Sequence, residues 1–451
     1  MQCESVILAA GLGTRMQSGR PKVLHSLGGR PMVCWAVEAA AAALGTPPLV
    51  VIGPLDAAVR AVLPETVRFV TQEERLGTGH ATRQAEAALR GTSDLILVTS
   101  ADLPLLRRAT LQSMVETQRR SRAVLTLLSF RGGEARGFGR ILRDPSGKIL
   151  GIVEEAEANP EQLLIHEFNV GAYCFEAEWL WSRLRQLPKS RKGEYYLTDL
   201  VGLAIAEGAE VEGREVMDED EVIGINTREH LAQAEAALRR QINHRWMLAG
   251  VTLQDPASCY IGSEVVIGKD TTILANTHLE GTTTIGEGCL LGPGTIVRQS
   301  TIGNRCSLEL SVVEQAVLED EVNIGPFAHL RPGAHLMRGV HMGNFGEVKN
   351  STLGPGVKMG HFSYIGDANV GAEANLGAGT ITCNYSRDGK KNHTEIGEGA
   401  FIGSDSMLVA PVTIGTGAVT GAGSVVTRDV PDDSLAVGHP ARVIRKLKRD
   451  A

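Results

Sequence analysis

Two groups of residues in this 451-residue chain suit chemistry on anions. The first begins at Gly11-Leu12-Gly13-Thr14-Arg15-Met16, followed by Pro21-Lys22. Glycines let backbone N–H groups approach an anion closely, and Arg15 and Lys22 add two cations within reach, which suits a triphosphate. A bare G-x-G is equally a simple turn. The loop is not a Walker loop, having no G-K-[ST], and it lacks the third glycine of a dinucleotide fingerprint. Asp102, in Ser100-Ala101-Asp102-Leu103-Pro104, is a carboxylate that either holds a divalent cation or caps a helix. Gln72 and Gly77-Thr78-Gly79-His80 make a second polar loop, by itself little more than a turn. The second group is Arg331 and Lys349, then His361 and Tyr364, then Asn375, Ala378 and Asn384-Tyr385. Two cations on a polar face are usually just solvated, and a lone His is usually structural. A His beside a Tyr, an Arg–Lys pair and an irregular loop is the makeup of an acid–base site.

These residues need elements to position them. Up to about residue 225 apolar runs alternate with helical patterns. Ser5–Ala9, Leu49–Ile52, Val67–Val70, Leu95–Thr99 and Ala123–Ser129 read as strands, and Met32–Leu44, Asp56–Leu63 and His80–Leu89 as helices. Such alternation predicts a mostly parallel sheet with helices on both faces, with ligands at the carboxyl ends of the strands. The loops at Gly11 and Ser100 both follow predicted strands. From Thr227 to about Leu248, Leu231, Ala234, Leu238, Ile242 and Met247 make one apolar stripe at helical spacing. This predicts a single connecting helix, equally the last helix of the first domain. From about Thr252 an aliphatic–Gly pair recurs, at Ile267-Gly268, Ile285-Gly286, Ile302-Gly303, Ile324-Gly325, Met342-Gly343, Met359-Gly360, Leu376-Gly377, Ile396-Gly397 and Ile414-Gly415. Most are 17 or 18 residues apart, which predicts coils of three short strands, with the aliphatic residue inward and Gly turning each corner. One coil is interrupted between Ile381 and Glu395, and a loop leaving a strict solenoid is a functional candidate. Three segments are expected: 1–226, a linker helix at 227–249, and 250–451.

Bulk composition narrows the classes. With 43% apolar and 22% charged residues the chain is an ordinary globular protein, while 52 glycines and only 4% aromatics favour a tightly coiled repeat. A net charge of −7 argues against a nucleic-acid surface, so an anionic substrate needs local cations. Seven scattered cysteines without C-x-x-C predict neither a disulfide framework nor a zinc site. No stretch approaches the ~18 apolar residues of a membrane span, and Val6–Ala10 is too short for a signal peptide. A cytoplasmic location is the expectation.

The motifs L-A-A-G-x-G-T-R-M…P-K, Q-x4-G-T-G-H-A, G-F-G-R-I (Gly137–Ile141), G-I-V-E (Gly151–Glu154), N-V-G (Asn169–Gly171) and G-I-N (Gly224–Asn226) occur in this order. Together they resemble the nucleotidyltransferase domain of bacterial bifunctional N-acetylglucosamine-1-phosphate uridyltransferase / glucosamine-1-phosphate N-acetyltransferase. The resemblance implies a Rossmann-like α/β domain in which Leu8, Gly11, Gly13, Arg15 and Lys22 hold UTP, with Arg15 and Lys22 catalytic. Gln72, Gly77 and Thr78 then read uracil, Gly139, Glu154 and Asn169 hold the acetamido sugar, and Asp102 and Asn226 bind Mg²⁺. Where that family usually has Tyr-Gly before the metal Asp, this chain has Ser100-Ala101.

The run G-H-x-x-Y-I-G-D-A…N-L-G-A-G-T-I-T-C-N-Y, then F-I-G-S-D…L-V-A-P-V, resembles the acetyltransferase half of the same family, a left-handed parallel β-helix. By that resemblance Arg331 and Lys349 bind the sugar phosphate, Tyr364, Asn375, Asn384 and Tyr385 position the sugar, and His361 is the general base. Ala378, Ser404 and Ala422 line the acetyl-CoA site. An amine attacks a thioester only when neutral, and an imidazole can take its proton near pH 7. The implied activity is acetylation of glucosamine 1-phosphate, then uridylyl transfer from UTP to N-acetylglucosamine 1-phosphate, in a homotrimer. One rival is a nucleotidyltransferase whose β-helix is only an oligomerising or regulatory scaffold. The other is a non-catalytic assembly protein.

Overall fold

The computed structural model describes residues 1–54, 56–133 and 137–448, so the last three residues of the expected 250–451 segment lie outside it. The chain forms two compact units, Met1–Leu238 and Arg239–Ala451. The division falls inside one helix, Arg228–Leu248.

The first unit is built on a nine-stranded sheet. Its elements in chain order are β1 (Cys3–Leu8), α1 (Met32–Leu44), β2 (Leu49–Ile52), β3 (Arg68–Thr71), α2 (Thr78–Arg83), β4 (Leu95–Ser100), α3 (Arg108–Arg120) and β5 (Leu125–Arg131). There follow β6 (Arg140–Arg143), β7 (Ile149–Val153), β8 (Glu167–Glu176), α4 (Asp199–Ala206), β9 (Val211–Val216) and α5 (Arg228–Leu248). The strand order is β9-β5-β8-β4-β1-β2-β3, with β6 pairing β7 and β8 off this path. The expected parallel half is β4-β1-β2-β3. On the other side β8 runs antiparallel to both β4 and β5.

Chain order reverses at β1, which lies between β4 and β2 and is fully buried at Val6 and Ile7. A crevice opens at such a switch point, outside the strands' carboxyl ends. Register brings Leu8 opposite Ser100, and the Ala101 amide donates to the Leu8 carbonyl at 3.0 Å. The loops carrying Gly11 and Asp102 therefore emerge side by side.

Most predicted elements appear within two or three residues of their expected ends. The helix expected over His80–Leu89 is instead two, Thr78–Arg83 and Glu86–Leu89. At Gln84 and Ala85 the amides bond three residues back, to Ala81 and Thr82, and this tighter turn breaks the helix.

The second unit is a stack of three-strand coils, read as three sheets of 12, 10 and 9 strands, parallel throughout except for a closing antiparallel pair, Ser434–Gly438 with Ala441–Lys446, at the end of the first. Most of the short strands point one aliphatic side chain inward, while Ile381–Cys383 and Val419–Thr420 bury a threonine there. Ile273, Leu291, Leu308 and Met342 line one face, and Leu279, Val297, Val313 and Leu330 the next, all fully buried. The aliphatic–Gly landmarks belong to two different faces. Ile285 and Ile302 pair in the nine-stranded sheet, whereas Ile324 and Met342 pair in the twelve-stranded one.

Of the landmark glycines only Gly325, at φ +111°, takes a left-handed conformation as expected; the others do not turn the corners. Gly268, Gly303 and Gly371 have ordinary φ values, and the left-handed residues are Asp270, Arg305 and Glu373, two positions later. The glycine is required because the next coil lies against it. A Cβ on Gly286 would stand 2.6 Å from the Gly303 carbonyl carbon, and one on Gly343 would stand 1.9 Å from the Gly360 carbonyl oxygen. Among the described residues no helix is long and apolar enough to cross a membrane.

Candidate functional sites

In the first unit, two adjoining cavities open at the switch point. One, of 480 Å³, is lined by Leu8, Gly11, Gly13, Arg15, Lys22, Gln72, Gly77, Thr78, Asp102 and Asn226. The other, of 210 Å³, holds Gly139, Glu154 and Asn169, together with Thr198 and Tyr173. Leu8, Thr78, Ser100, Asp102 and Asn226 line both. The residues expected around nucleotide and sugar thus gather in two chambers with a common wall, and the two expected metal ligands stand on that wall.

Local structure explains the placement. Gly13 adopts φ +64°, and a Cβ there would strike Lys22 Cβ at 2.5 Å, so the loop folds directly against the lysine. Thr14–Met16 form a single 3-10 turn that carries Arg15 on the exposed side. Lys22 Nζ donates to Asp102 Oδ2 at 2.5 Å and to Asn226 Oδ1 at 3.0 Å, with side-chain exposures of 10% for Lys22 and 22% for Asp102. Burial alone would raise the pKa of Asp102. The Lys22 charge and hydrogen bonds from Lys22 and Ser100 outweigh burial and hold the carboxyl below its usual range.

A cation therefore already sits between the two side-chain oxygens expected to bind metal. Their set, one carboxylate and one amide oxygen, fits a hard divalent ion that takes its other ligands from phosphates and water. Among the described residues no group of three or more His, Cys, Asp or Glu is placed to hold a metal ion.

In the second chamber, Glu154 Oε1 accepts from Thr198 Oγ1 at 2.8 Å, and Asn169 Nδ2 donates to the Tyr173 hydroxyl at 2.7 Å. Burial raises the Glu154 pKa, opposed by the Thr198 hydrogen bond and reinforced by Glu157 and Glu194. Burial also pushes Asp199 up to about 6, with Glu157 and Glu154 adding to it.

Sequence reasoning missed Arg75, Glu194 and Tyr196 in the first chamber, and Tyr173 and Thr198 in the second. Arg75 donates from Nε to the Ala10 carbonyl at 2.7 Å, tying the loop before Gly77 to the loop that carries Gly11. The Glu194–Thr198 segment is brought in by backbone pairing. Gly79 N donates to Tyr195 O and Tyr195 N to Leu76 O, both at 2.8 Å, and Leu197 N donates to Thr78 Oγ1 at 3.0 Å. A Cβ on Gly77 would lie 2.7 Å from Tyr195 O, so that loop needs its glycine. The one available signal was the polar–aromatic run Glu194-Tyr195-Tyr196 itself.

In the second unit, coil register arranges the other candidates. Leu330 pairs Val348 and Lys349 pairs Gly366, so Arg331 and Lys349 stack one coil apart on one face. Arg331 Nη1 donates to Glu347 Oε1 at 2.8 Å. Tyr364 follows Glu347 in the neighbouring row of that face. Asn384 Nδ2 donates to the Tyr364 hydroxyl at 3.4 Å and to Asp367 Oδ2 at 2.5 Å, while Asn350 Nδ2 donates to Asp367 Oδ1 at 2.6 Å. Asp367, buried and left-handed at φ +49°, is the hub that fixes Asn384 and was not singled out from sequence.

Register also aligns His361, Ala378, Ser404 and Ala422 at one corner, each two residues after the paired Met359, Leu376, Ile402 and Thr420. His361 is exposed, with no hydrogen-bond partner among the described residues. Asn375 pairs Lys358 and Phe401 on a different face from Arg331 and Lys349. Tyr385 opens a small excursion, closed by its antiparallel bridge to Lys391, and is 71% exposed. One chain thus brings Arg331 to Lys349 and Tyr364 to Asn384, and leaves His361 and Asn375 on a corner and a second face.

Comparisons with known proteins agree with both halves. Residues 5–203 match the family model of a MobA-like NTP transferase domain, and 264–299 and 393–428 match bacterial transferase hexapeptide repeats. Proteins named bifunctional protein GlmU resemble the chain over nearly its whole length. That of Heliobacterium modesticaldum is 46% identical over 444 residues, covering 98% of this chain and 96% of its own. That of Pelobacter propionicus is 44% identical over 447 residues, covering 98% and 97%. That of Syntrophomonas wolfei is 46% identical over 441 residues, covering 97% of each. With the parallel coils and the two-chambered crevice described above, this likeness along the full chain makes it a member of the bifunctional GlmU family.

Proposed function

We infer that this chain carries out two successive transfers in the synthesis of UDP-N-acetylglucosamine. It acetylates the amine of glucosamine 1-phosphate with acetyl-CoA, then joins N-acetylglucosamine 1-phosphate to the uridylyl group of UTP and releases pyrophosphate. The observation that carries the second step is the common wall of the two chambers, Leu8, Thr78, Ser100, Asp102 and Asn226. A nucleotide in one chamber and a sugar phosphate in the other meet there.

In uridylyl transfer a phosphate oxygen of the sugar phosphate attacks the α-phosphorus of UTP, a new P–O bond forms, and the bond to pyrophosphate breaks. Catalysis here needs positioning and charge neutralisation, with no covalent protein chemistry. We assign phosphate binding to Gly11, Gly13, Arg15 and Lys22, base reading to Gln72, Gly77 and Thr78, and sugar binding to Gly139, Glu154 and Asn169. Asp102 and Asn226 would hold Mg²⁺. When bound, that ion neutralises phosphate charge. Lys22, which now bridges the two ligands, would turn to the phosphates.

In acetyl transfer the amine nitrogen bonds the acetyl carbonyl carbon, the C–S bond breaks and coenzyme A leaves as its thiol; His361 takes the proton of the attacking amine, Arg331 and Lys349 hold the sugar phosphate, and Tyr364, Asn375, Asn384 and Tyr385 position the ring. Ala378, Ser404 and Ala422 leave a small-residue corner beside His361 for acetyl-CoA. Because these residues occupy two faces and a corner of one coil stack, we propose a homotrimer in which neighbouring chains complete each site. Residues 1–226 would carry uridylyl transfer, 227–249 the link, and 250–451 acetyl transfer. Seven unpaired cysteines fit a reducing cytoplasm.

The test is one matrix on the whole protein, scoring pyrophosphate release from UTP with N-acetylglucosamine 1-phosphate and thiol release from acetyl-CoA with glucosamine 1-phosphate. Chelation should stop the first and spare the second. Absence of thiol release would leave the second unit as a scaffold only.

A further inference from the structure

The orientation of one buried amide assigns a role to a residue outside the set above. Gln72 is buried and lines the nucleotide chamber. Its Nε2 lies 3.1 Å from the Gly77 carbonyl oxygen and 3.1 Å from His80 Nδ1. A carbonyl oxygen only accepts, so the Gln72 atom facing it is the amide nitrogen. The two amide hydrogens are then both engaged, one by Gly77 O and one by His80 Nδ1. Among the described residues no donor reaches Gln72 Oε1. The group that Gln72 can offer a base is therefore an acceptor.

For His80 to accept at Nδ1, its ring must be neutral, with the proton on Nε2. Burial lowers the His80 pKa and nearby Arg83 adds to this, against the Glu74 carbonyl and carboxylate, which raise it. The neutral ring is thus the favoured form at pH 7. Gln84 Nε2 donates to the His80 carbonyl at 3.0 Å, and its 3.2 Å approach to His80 Nε2 sets two N–H groups side by side in this tautomer, so it does not hold the ring.

We propose that His80 is a specificity-determining positioning residue: by accepting from Gln72 Nε2 it holds the Gln72 amide with its oxygen toward the nucleotide, and so selects a pyrimidine whose N3 carries a hydrogen. This rests on the uridylyl-transfer reading with Gln72 at the base. Uracil has N3–H, a donor. Cytosine N3 is an acceptor and would face the Gln72 oxygen unpaired. Without the His80 anchor only the Gly77 bond opposes turning the amide to offer its nitrogen to cytosine, so the preference for uracil weakens.

The experiment compares kcat/KM for UTP and CTP, with N-acetylglucosamine 1-phosphate, in the full-length wild type and in His80→Ala and His80→Asn. His80→Ala should lower the UTP:CTP ratio about tenfold, the scale of one selective hydrogen bond. His80→Asn keeps an acceptor near the Nδ1 position and should restore most of the ratio. Should His80→Ala fail to fold, as judged by melting and thiol release, His80→Met removes the acceptor while filling the space. A folded variant without the ring acceptor whose ratio stays within twofold of wild type overturns the role of His80. So does one in which both nucleotides fall alike, as expected of a merely structural residue. A wild type that turns over neither nucleotide sinks the uridylyl reading and this inference with it.

Discussion

Replacing Asp102 by Asn probes the wall between the two chambers. The amide keeps the size of the carboxylate and one acceptor, but loses the charge that faces Lys22 Nζ at 2.5 Å. A largely dry electrostatic partner of this kind contributes about 10²–10³ to the rate of a charge-stabilised transfer. On the proposed assignment Asp102 would serve both as a metal ligand and as the counter-charge of Lys22, so the upper end applies, about 10³-fold or roughly 4 kcal/mol of barrier. The fold should lose less. A hydrogen bond to a charged group contributes about 1.5–3 kcal/mol, of which the amide oxygen keeps part, leaving a loss of ~1–2 kcal/mol. For a unit of this size that lowers Tm by roughly 2–8 °C. The pH dependence has a fixed sign. The folded-state pKa of Asp102 is depressed, so its stabilisation is present above the unfolded value and fades as pH falls through the folded one. The Tm gap between wild type and variant should therefore narrow in acid. Pyrophosphate release, thiol release and melting are measured on one preparation. A variant that keeps uridylyl transfer within tenfold, or loses acetylation at unchanged Tm, would refute the assignment.

Three further expectations can be checked with the same assays. His361→Ala should cut acetyl transfer by about 10²–10⁴-fold, the usual contribution of a general base, and leave pyrophosphate release unchanged; equal loss of both activities would contradict it. Gly343→Ala places a methyl 1.9 Å from the Gly360 carbonyl oxygen and should destabilise the coil stack by about 1–3 kcal/mol or more, seen as a lower melting temperature of the second unit. Asp199 ionises at about 6 in the folded protein, above its free value, so the folded state binds more protons between those values and stability falls as pH rises through that window. Asp199→Asn should therefore raise Tm at pH 7.5, by the equivalent of about 1 kcal/mol after allowing for solvent screening, and change it little near pH 4.

What was legible from sequence follows the range of the interactions involved. The phosphate loop could be read because its glycines, Arg15 and Lys22 fall within a dozen residues. The coil stack could be read because its period is local and repeated. Glu194, Tyr196 and Thr198 could not, because they reach the nucleotide and sugar chambers through backbone pairing with a loop about 120 positions earlier. Asp367 lies inside the quoted run G-H-x-x-Y-I-G-D-A, and only its two side-chain partners, Asn350 and Asn384, reveal it as a hub. The glycine pattern was seen but given the wrong cause, since periodicity cannot distinguish a residue that must bend from one that must make room. The aliphatic–Gly landmarks belong to two faces, and a change from one to the other falls where their spacing departs from 17 or 18, between Ile302 and Ile324.

The stacked glycines also limit how the second unit can change in length. Nearly every landmark glycine, Gly360 apart, meets a neighbouring coil by a contact too tight for a methyl, so one added or lost residue within a strand would turn an inward aliphatic to solvent and jam a side chain against the adjoining turn. Growth or trimming of this half is confined to whole turns, or to excursions that leave and rejoin at the same corner. The Asn384–His393 detour is of the second kind: it opens beside Tyr364 and hands the chain back at Thr394, in line with Ala368 of the preceding coil, leaving the count undisturbed.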